Sequence, residues 1–146
     1  MDVAALKADT SSVLVTPAHQ FPTGAVLSTA RRTELLSWAA QHGSLVIEDD
    51  YDAEFRYDHR PFGALAGLDS DRVVYLSSVS KTLAPALRLG WMFLPSSIGA
   101  AVVAEAVRDP GPSTLDQIAL AQFIQTGGYD HHLVACGATT ENAATP

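Results

Sequence analysis

The chain alternates between short, dense apolar runs and longer stretches in which apolar residues recur at helical spacing. Val13-Leu14-Val15-Thr16 is the first run and predicts a short buried strand, followed by a Pro/Gly turn through Gly24. Leu35, Trp38 and Ala39 then share one helical face. With Ser28 as N-cap and Gly43 as terminator they predict a helix to about His42. Leu45 to Glu48 is the next strand, and Tyr57 through Gly67 reads as irregular. Arg72-Val73-Val74-Tyr75-Leu76-Ser77 and Gly90-Trp91-Met92-Phe93-Leu94 predict a third and a fourth strand, the last closed by Pro95. Ser96 to Asp109 reads as helix, broken by Pro110-Gly111-Pro112. Ser113-Thr114-Leu115-Asp116 has the form of a capping box, with Asp in place of the usual Glu, and opens a helix ending before Gly127-Gly128. Beyond His131-His132-Leu133 the run Ala135 to Pro146 shows little periodicity of either kind and is expected to be irregular. Strands alternating with helices predict an α/β fold, a mostly parallel sheet flanked by helices. No internal repeat is visible.

Composition narrows the picture without changing it. At 146 residues, 47% hydrophobic and 17% charged, the chain is at most one globular domain. Its net charge of -7 argues against nucleic-acid contact by this segment, which would need a basic face. Cys136 stands alone, so no disulfide forms within the chain and a reducing compartment is expected. Met1-Asp2-Val3-Ala4-Ala5-Leu6-Lys7 lacks the basic and apolar regions of a signal peptide. No apolar run approaches the roughly 20 residues of a membrane span, and the expected location is cytoplasmic. The adjacent His131-His132 pair diverges on any regular element and has no Cys/His cluster beside it, so no metal site is expected.

The chemistry concentrates in Ser78-Val79-Ser80-Lys81-Thr82-Leu83-Ala84-Pro85-Ala86-Leu87-Arg88-Leu89-Gly90-Trp91. Lysine is almost never fully buried unless paired, so Lys81 among apolar neighbours calls for a reason. A Schiff base to pyridoxal phosphate is such a reason: it uses the amine, and its phosphate needs hydroxyls and a guanidinium. Upstream, Glu48-Asp49-Asp50-Tyr51 begins where the Leu45-Val46-Ile47 strand ends. Carboxylates at the carboxyl end of a parallel strand lie at the rim where open α/β sheets bind ligands. One of them, facing a pyridine nitrogen, would keep it protonated. Charge alone does not choose between Asp49 and Asp50.

Together with Thr16-Pro17-Ala18-His19-Gln20-Phe21-Pro22-Thr23-Gly24, these segments resemble fold-type-I pyridoxal-phosphate enzymes of the class I/II aminotransferase group. The nearer resemblance is to the aminotransferase-like domain of MocR-type regulators of the GntR family. It runs from about Val13 to about Tyr129, with the three motifs in family order. It implies a partial large domain of a fold-type-I pyridoxal-phosphate-dependent transferase over residues 13–130, after a lead-in of residues 1–12 and before a non-native tail of residues 131–146. Lys81 is then the Schiff-base residue, Asp49 the pyridine-nitrogen partner, with Asp50 as the alternative. Tyr51 is the hydroxyl touching the cofactor's 3′-oxygen, and Ser78, Ser80 and Arg88 are phosphate ligands.

The first motif departs from the family pattern. Phe21 falls where those enzymes place an asparagine that bonds the 3′-oxygen, so that contact is lost or passes to His19 or Gln20. Arg56 is expected to pair with an acid, and His59 to be a loop residue. The resemblance further implies an amino acid or amine ligand and a homodimer in the full-length protein. DNA contact would come only through an N-terminal winged-helix domain absent here, and the chain would be a truncated, frameshifted or excised fragment. Regulator, free-standing aminotransferase and inactive remnant are the three functional expectations, with poor activity expected of the isolated chain.

Overall fold

The structure, a computed structural model, describes residues 1–20, 22–51, 63–109 and 111–143, with side chains through residue 136. Phe21, Arg56, Tyr57 and His59 lie outside the described residues. Four strands form one sheet in the order β1 (Ser12–Val15), β2 (Leu45–Asp49), β3 (Val73–Ser78), β4 (Gly90–Phe93). The first three are parallel, with Val13 beside Val46 and Val46 beside Val73. β4 returns antiparallel to β3, pairing Ser78 with Gly90 and Tyr75 with Phe93.

Helix α1 (Thr29–His42) connects β1 to β2 and follows the local signals closely. The Ser28 side chain accepts from the Arg31 amide, and Gly43 ends the helix with φ 63°, a left-handed conformation that glycine adopts without a Cβ clash. Its Leu35, Trp38 and Ala39 pack on Val15, Val46 and Val73 to make the main core, with Leu65 from a 3-10 turn at Leu65–Gly67.

Because side chains alternate across a strand, the register divides the sheet into two faces. Val15, Val46, Glu48 and Val73 lie toward α1, whereas Leu14, Ile47, Asp49, Leu76 and Met92 lie on the opposite face. Three helices complete the chain: α2 (Ser96–Ala106), α3 (Thr114–Gln125) and α4 (Gly128–Ala143). Ser113 caps α3 by accepting from the Asp116 amide, as the capping-box reading expects.

α4 corrects one expectation. The run from Ala135, read as irregular, is helical through Ala143. Its apolar stripe, Tyr129, Leu133 and their neighbours, is short but docks into a second core cluster. Packing there outweighs the weak helix propensity of Gly137, Thr139 and Thr140.

Candidate functional site

The lysine turn is a loop closed at its base by strand pairing. Beyond the Ser78–Gly90 pair, the Val79 amide donates to the Leu89 carbonyl at 3.2 Å, extending the β3–β4 register by one step. Leu83 then folds back, its amide donating to the Val79 carbonyl at 2.9 Å. Val79, Leu83, Leu87 and Leu89 turn inward and pack with Trp91, Leu120, Tyr129 and Leu133. That arrangement explains the apolar setting of Lys81: Val79 and Leu89 are buried and Leu83 and Leu87 half-buried, while the lysine itself is exposed.

Ser80 is half-buried, and Arg88 is exposed with φ 53°, the one non-glycine residue in left-handed conformation among the described residues. A basic residue held in that region costs about 1 kcal/mol or more and is more common at functional sites than elsewhere. Gly90 is required at the base of the loop, because a Cβ there would stand 2.8 Å from the Ser77 carbonyl oxygen. Ser78, Ser80, Lys81 and Arg88 thus gather at one end of the β3–β4 pair.

At the neighbouring end of β2 the acidic run separates by face. Glu48 is 1% exposed, and its two carboxylate oxygens accept from the Leu65 amide at 3.0 Å and the Ala66 amide at 3.1 Å. Burial pushes its pKa above the usual 4.5, opposed by those two amides, with nearby Asp50 pushing the same way as burial and Arg32 against it. Asp50 is also buried on the α1 side, where Tyr75 donates its hydroxyl to Oδ2 at 3.2 Å and Ser77 donates to the Asp50 carbonyl at 3.3 Å. Asp49 sits on the other face, in register with Leu76. Ser78, two residues beyond Leu76, shares that face. Asp49 and the first phosphate-ligand candidate therefore stand on one face at adjacent strand ends.

The loop after β1 leans on the same rim. Tyr51 donates its hydroxyl to the His19 carbonyl at 3.1 Å, and the two rings lie roughly parallel with centroids 6.5 Å apart. Gln20 bridges to Ala25, and the Gly24 amide donates back to Gln20 at 2.7 Å, so Pro22-Thr23-Gly24 forms a tight turn. His19 is seated beside Tyr51, while the Gln20 side chain accepts from Thr16 at 3.1 Å.

Sequence reasoning missed two groups. Arg32 is 4% exposed and donates to the carbonyls of Leu27, Gly63 and Pro17 at 2.9, 2.7 and 3.1 Å, tying the loop after β1 to the segment that precedes the 3-10 turn. Tyr129 and His132 reach Thr82 from α4. The signal for the latter was present: Tyr129, His132, Leu133 and Cys136 are spaced as one helical face. Among the described residues no group of His, Cys, Asp and Glu is placed to hold a metal ion, and no helix is long and apolar enough to cross a membrane.

The exposed Lys81 and Arg88, with Ser78 and Ser80, thus stand at one strand end of a mostly parallel α/β sheet. Comparison with known proteins gives the family. The model for aminotransferase class I and II matches residues 1–135, and the chain belongs to that family. Its fold is that of fold-type-I pyridoxal-phosphate-dependent aminotransferases: it superposes on Pyrococcus horikoshii kynurenine aminotransferase, solved with PMP, with a TM-score of 0.77 and 30% identity, over 88% of this chain and 32% of that one. It is 40% identical over 148 residues to the uncharacterized HTH-type transcriptional regulator YhdI of Bacillus subtilis, covering 91% of this chain and 32% of the relative. It is also 40% identical over 124 residues to the probable rhizopine catabolism regulatory protein MocR of Rhizobium meliloti, covering 83% and 25%. The chain thus spans a third or less of the length of these relatives.

Proposed function

We propose that this chain is part of the pyridoxal 5′-phosphate-binding, effector-sensing domain of a MocR-type transcriptional regulator. The observation that carries the reading is the gathering of Ser78, Ser80, Lys81 and Arg88 at the closed end of the β3–β4 pair, with Asp49 on the adjoining strand end. The donor set suits the cofactor: an exposed amine for its aldehyde, two hydroxyls and a guanidinium fork for its phosphate, and a carboxylate for its ring nitrogen. Asp49 fits the last role better than Asp50, whose side chain is turned into the core and held by Tyr75. Tyr51, beside His19, is the hydroxyl for the 3′-oxygen. When bound, the cofactor supplies an electrophilic carbon for an amine and an electron-poor ring.

In a regulator, Lys81 would hold the cofactor, and an amino acid or amine would be the ligand whose binding biases a conformational equilibrium. DNA contact then belongs to a segment outside this chain, and the full-length protein works as a homodimer. A second reading, a free-standing aminotransferase, is favoured by 32% identity over 123 residues to aromatic-amino-acid aminotransferase 1 of Thermococcus litoralis. There Lys81 also acts as general base.

The chain has two lysines, Lys7 and Lys81, which makes the test clean. Incubation with pyridoxal phosphate, borohydride reduction and peptide mass mapping should place the label on Lys81, and Lys81→Ala should remove it. A label at Lys7 alone, or none, would sink the reading. For the parent protein, multiple-turnover formation of a 2-oxo acid would favour the enzyme over the regulator.

A further inference from the structure

Thr82, the residue after Lys81, is buried at 4% exposure and is gripped twice by α4. Its Oγ1 lies 2.9 Å from the Tyr129 hydroxyl, and its carbonyl oxygen lies 2.6 Å from His132 Nε2. A carbonyl oxygen only accepts, so His132 carries a proton on Nε2 and donates it there. Cys136 Sγ stands 3.5 Å from the same nitrogen, one helical turn on. Tyr129 is itself buried at 7% exposure in the cluster that contains Val79 and packs against Leu83. One residue is therefore held by side chain and main chain at once, across 47 and 50 positions of sequence.

From this geometry we infer that Tyr129 and His132 are positioning residues for the lysine turn, and that α4 is the element mechanically coupled to what Lys81 carries. Lys81 is exposed, and within its own loop the main chain is closed by the Val79–Leu89, Leu83–Val79 and Leu87–Ala84 bonds, with the loop's leucines packed in the second core cluster. The two α4 bonds add a polar restraint at Thr82, the residue next to Lys81, in a buried setting where a broken bond leaves a group unsatisfied. Coupling of this kind is reciprocal: if α4 steadies the turn for cofactor attachment, attachment steadies α4 by the same factor. The inference rests on the reading of Lys81 as the attachment point, and it names the route by which occupancy of that lysine would leave the site.

The test uses Tyr129→Phe, which keeps the apolar packing, and His132→Ala with His132→Gln as rescue, since a Gln amide can also donate to the Thr82 carbonyl. Amide hydrogen exchange without cofactor should be about three- to tenfold faster at residues 79–83 in the Phe and Ala variants, the worth of one buried hydrogen bond, and near wild type in the Gln variant. Pyridoxal-phosphate attachment at Lys81, followed by absorbance and borohydride label, should weaken by a similar factor in the same two variants. In the wild type, attachment should in turn slow exchange at residues 129–136. Unchanged exchange at residues 79–83 in both variants overturns the clamp. Faster exchange in the turn with undiminished attachment overturns the positioning role. A wild-type chain that takes no label at Lys81 overturns the functional reading instead, while faster turn exchange in the variants would still support the clamp.

Discussion

Arg32 holds three backbone carbonyls from two separate segments, and it does so from a buried position on α1. Hydrogen bonds from a charged donor contribute more than neutral ones, and three stranded acceptors cannot all recover water. Arg32→Ala should therefore lower unfolding stability by about 3 kcal/mol in urea melts, with Arg32→Lys recovering only part of it. A loss below about 0.5 kcal/mol would show that water replaces the guanidinium.

Glu48 makes a different prediction. Its folded pKa is raised, first by burial, so between 4.5 and that higher value the folded chain holds a proton that the unfolded chain has released. Its contribution to stability thus falls as pH rises through that window and levels off above it. Glu48→Gln should flatten that slope while sacrificing one of the two amide acceptors at Leu65 and Ala66. An unchanged slope in the variant would assign the pH dependence elsewhere. None of this was legible in the acidic run as a sequence, because which member of Glu48-Asp49-Asp50 turns inward depends on strand parity. The pleat that turns Glu48 and Asp50 inward leaves Asp49 on the opposite face.

Among the elements, those whose signals are local chemistry were legible. The Ser28 and Ser113 caps, the Gly43 terminator and the strand starting at Gly90 lie where capping and turn residues predict them. α4 was not, because its helicity depends on docking against Val79 and Leu120, contacts remote in sequence. The closeness of β3 and β4 was equally hidden. Gly90→Ala would press a Cβ to 2.8 Å from the Ser77 carbonyl, and a backbone atom cannot swing away. The expected cost is about 1–3 kcal/mol, as for overpacking elsewhere, with weaker cofactor attachment because the base of the lysine turn shifts. Gly99→Ala, inside α2 with no atom within 4 Å of the new Cβ, is the control and should raise stability by about 0.5–1 kcal/mol. Equal effects of the two changes in thermal melts would refute the close approach.

At the scale of the whole molecule the two sides of the sheet are unequally covered. The α1 side is covered by the main core over β1 to β3, with Phe93 of β4 65% exposed at its edge, whereas the opposite face leaves Leu14 63% exposed and Met92 half-exposed. α2 and α3 contain no buried residue, and Val103, Leu115, Ile118 and Ile124 are exposed on them. β1 and β4 are the sheet's edges, and short edge strands with little charge invite pairing with another chain. Apolar area on this scale is an association surface in any soluble protein. The net charge of -7 opposes association only over about 8–10 Å at physiological salt, which is too short to protect a flat apolar face once two copies touch. Sedimentation velocity on the isolated chain should therefore show concentration-dependent association that rises with added salt. Leu14→Glu together with Met92→Lys should reduce it with little change in the urea midpoint, since both side chains are already in water. A wild-type chain that sediments as a monomer at all concentrations, or an association untouched by the double change, would mean that this face is not where copies meet.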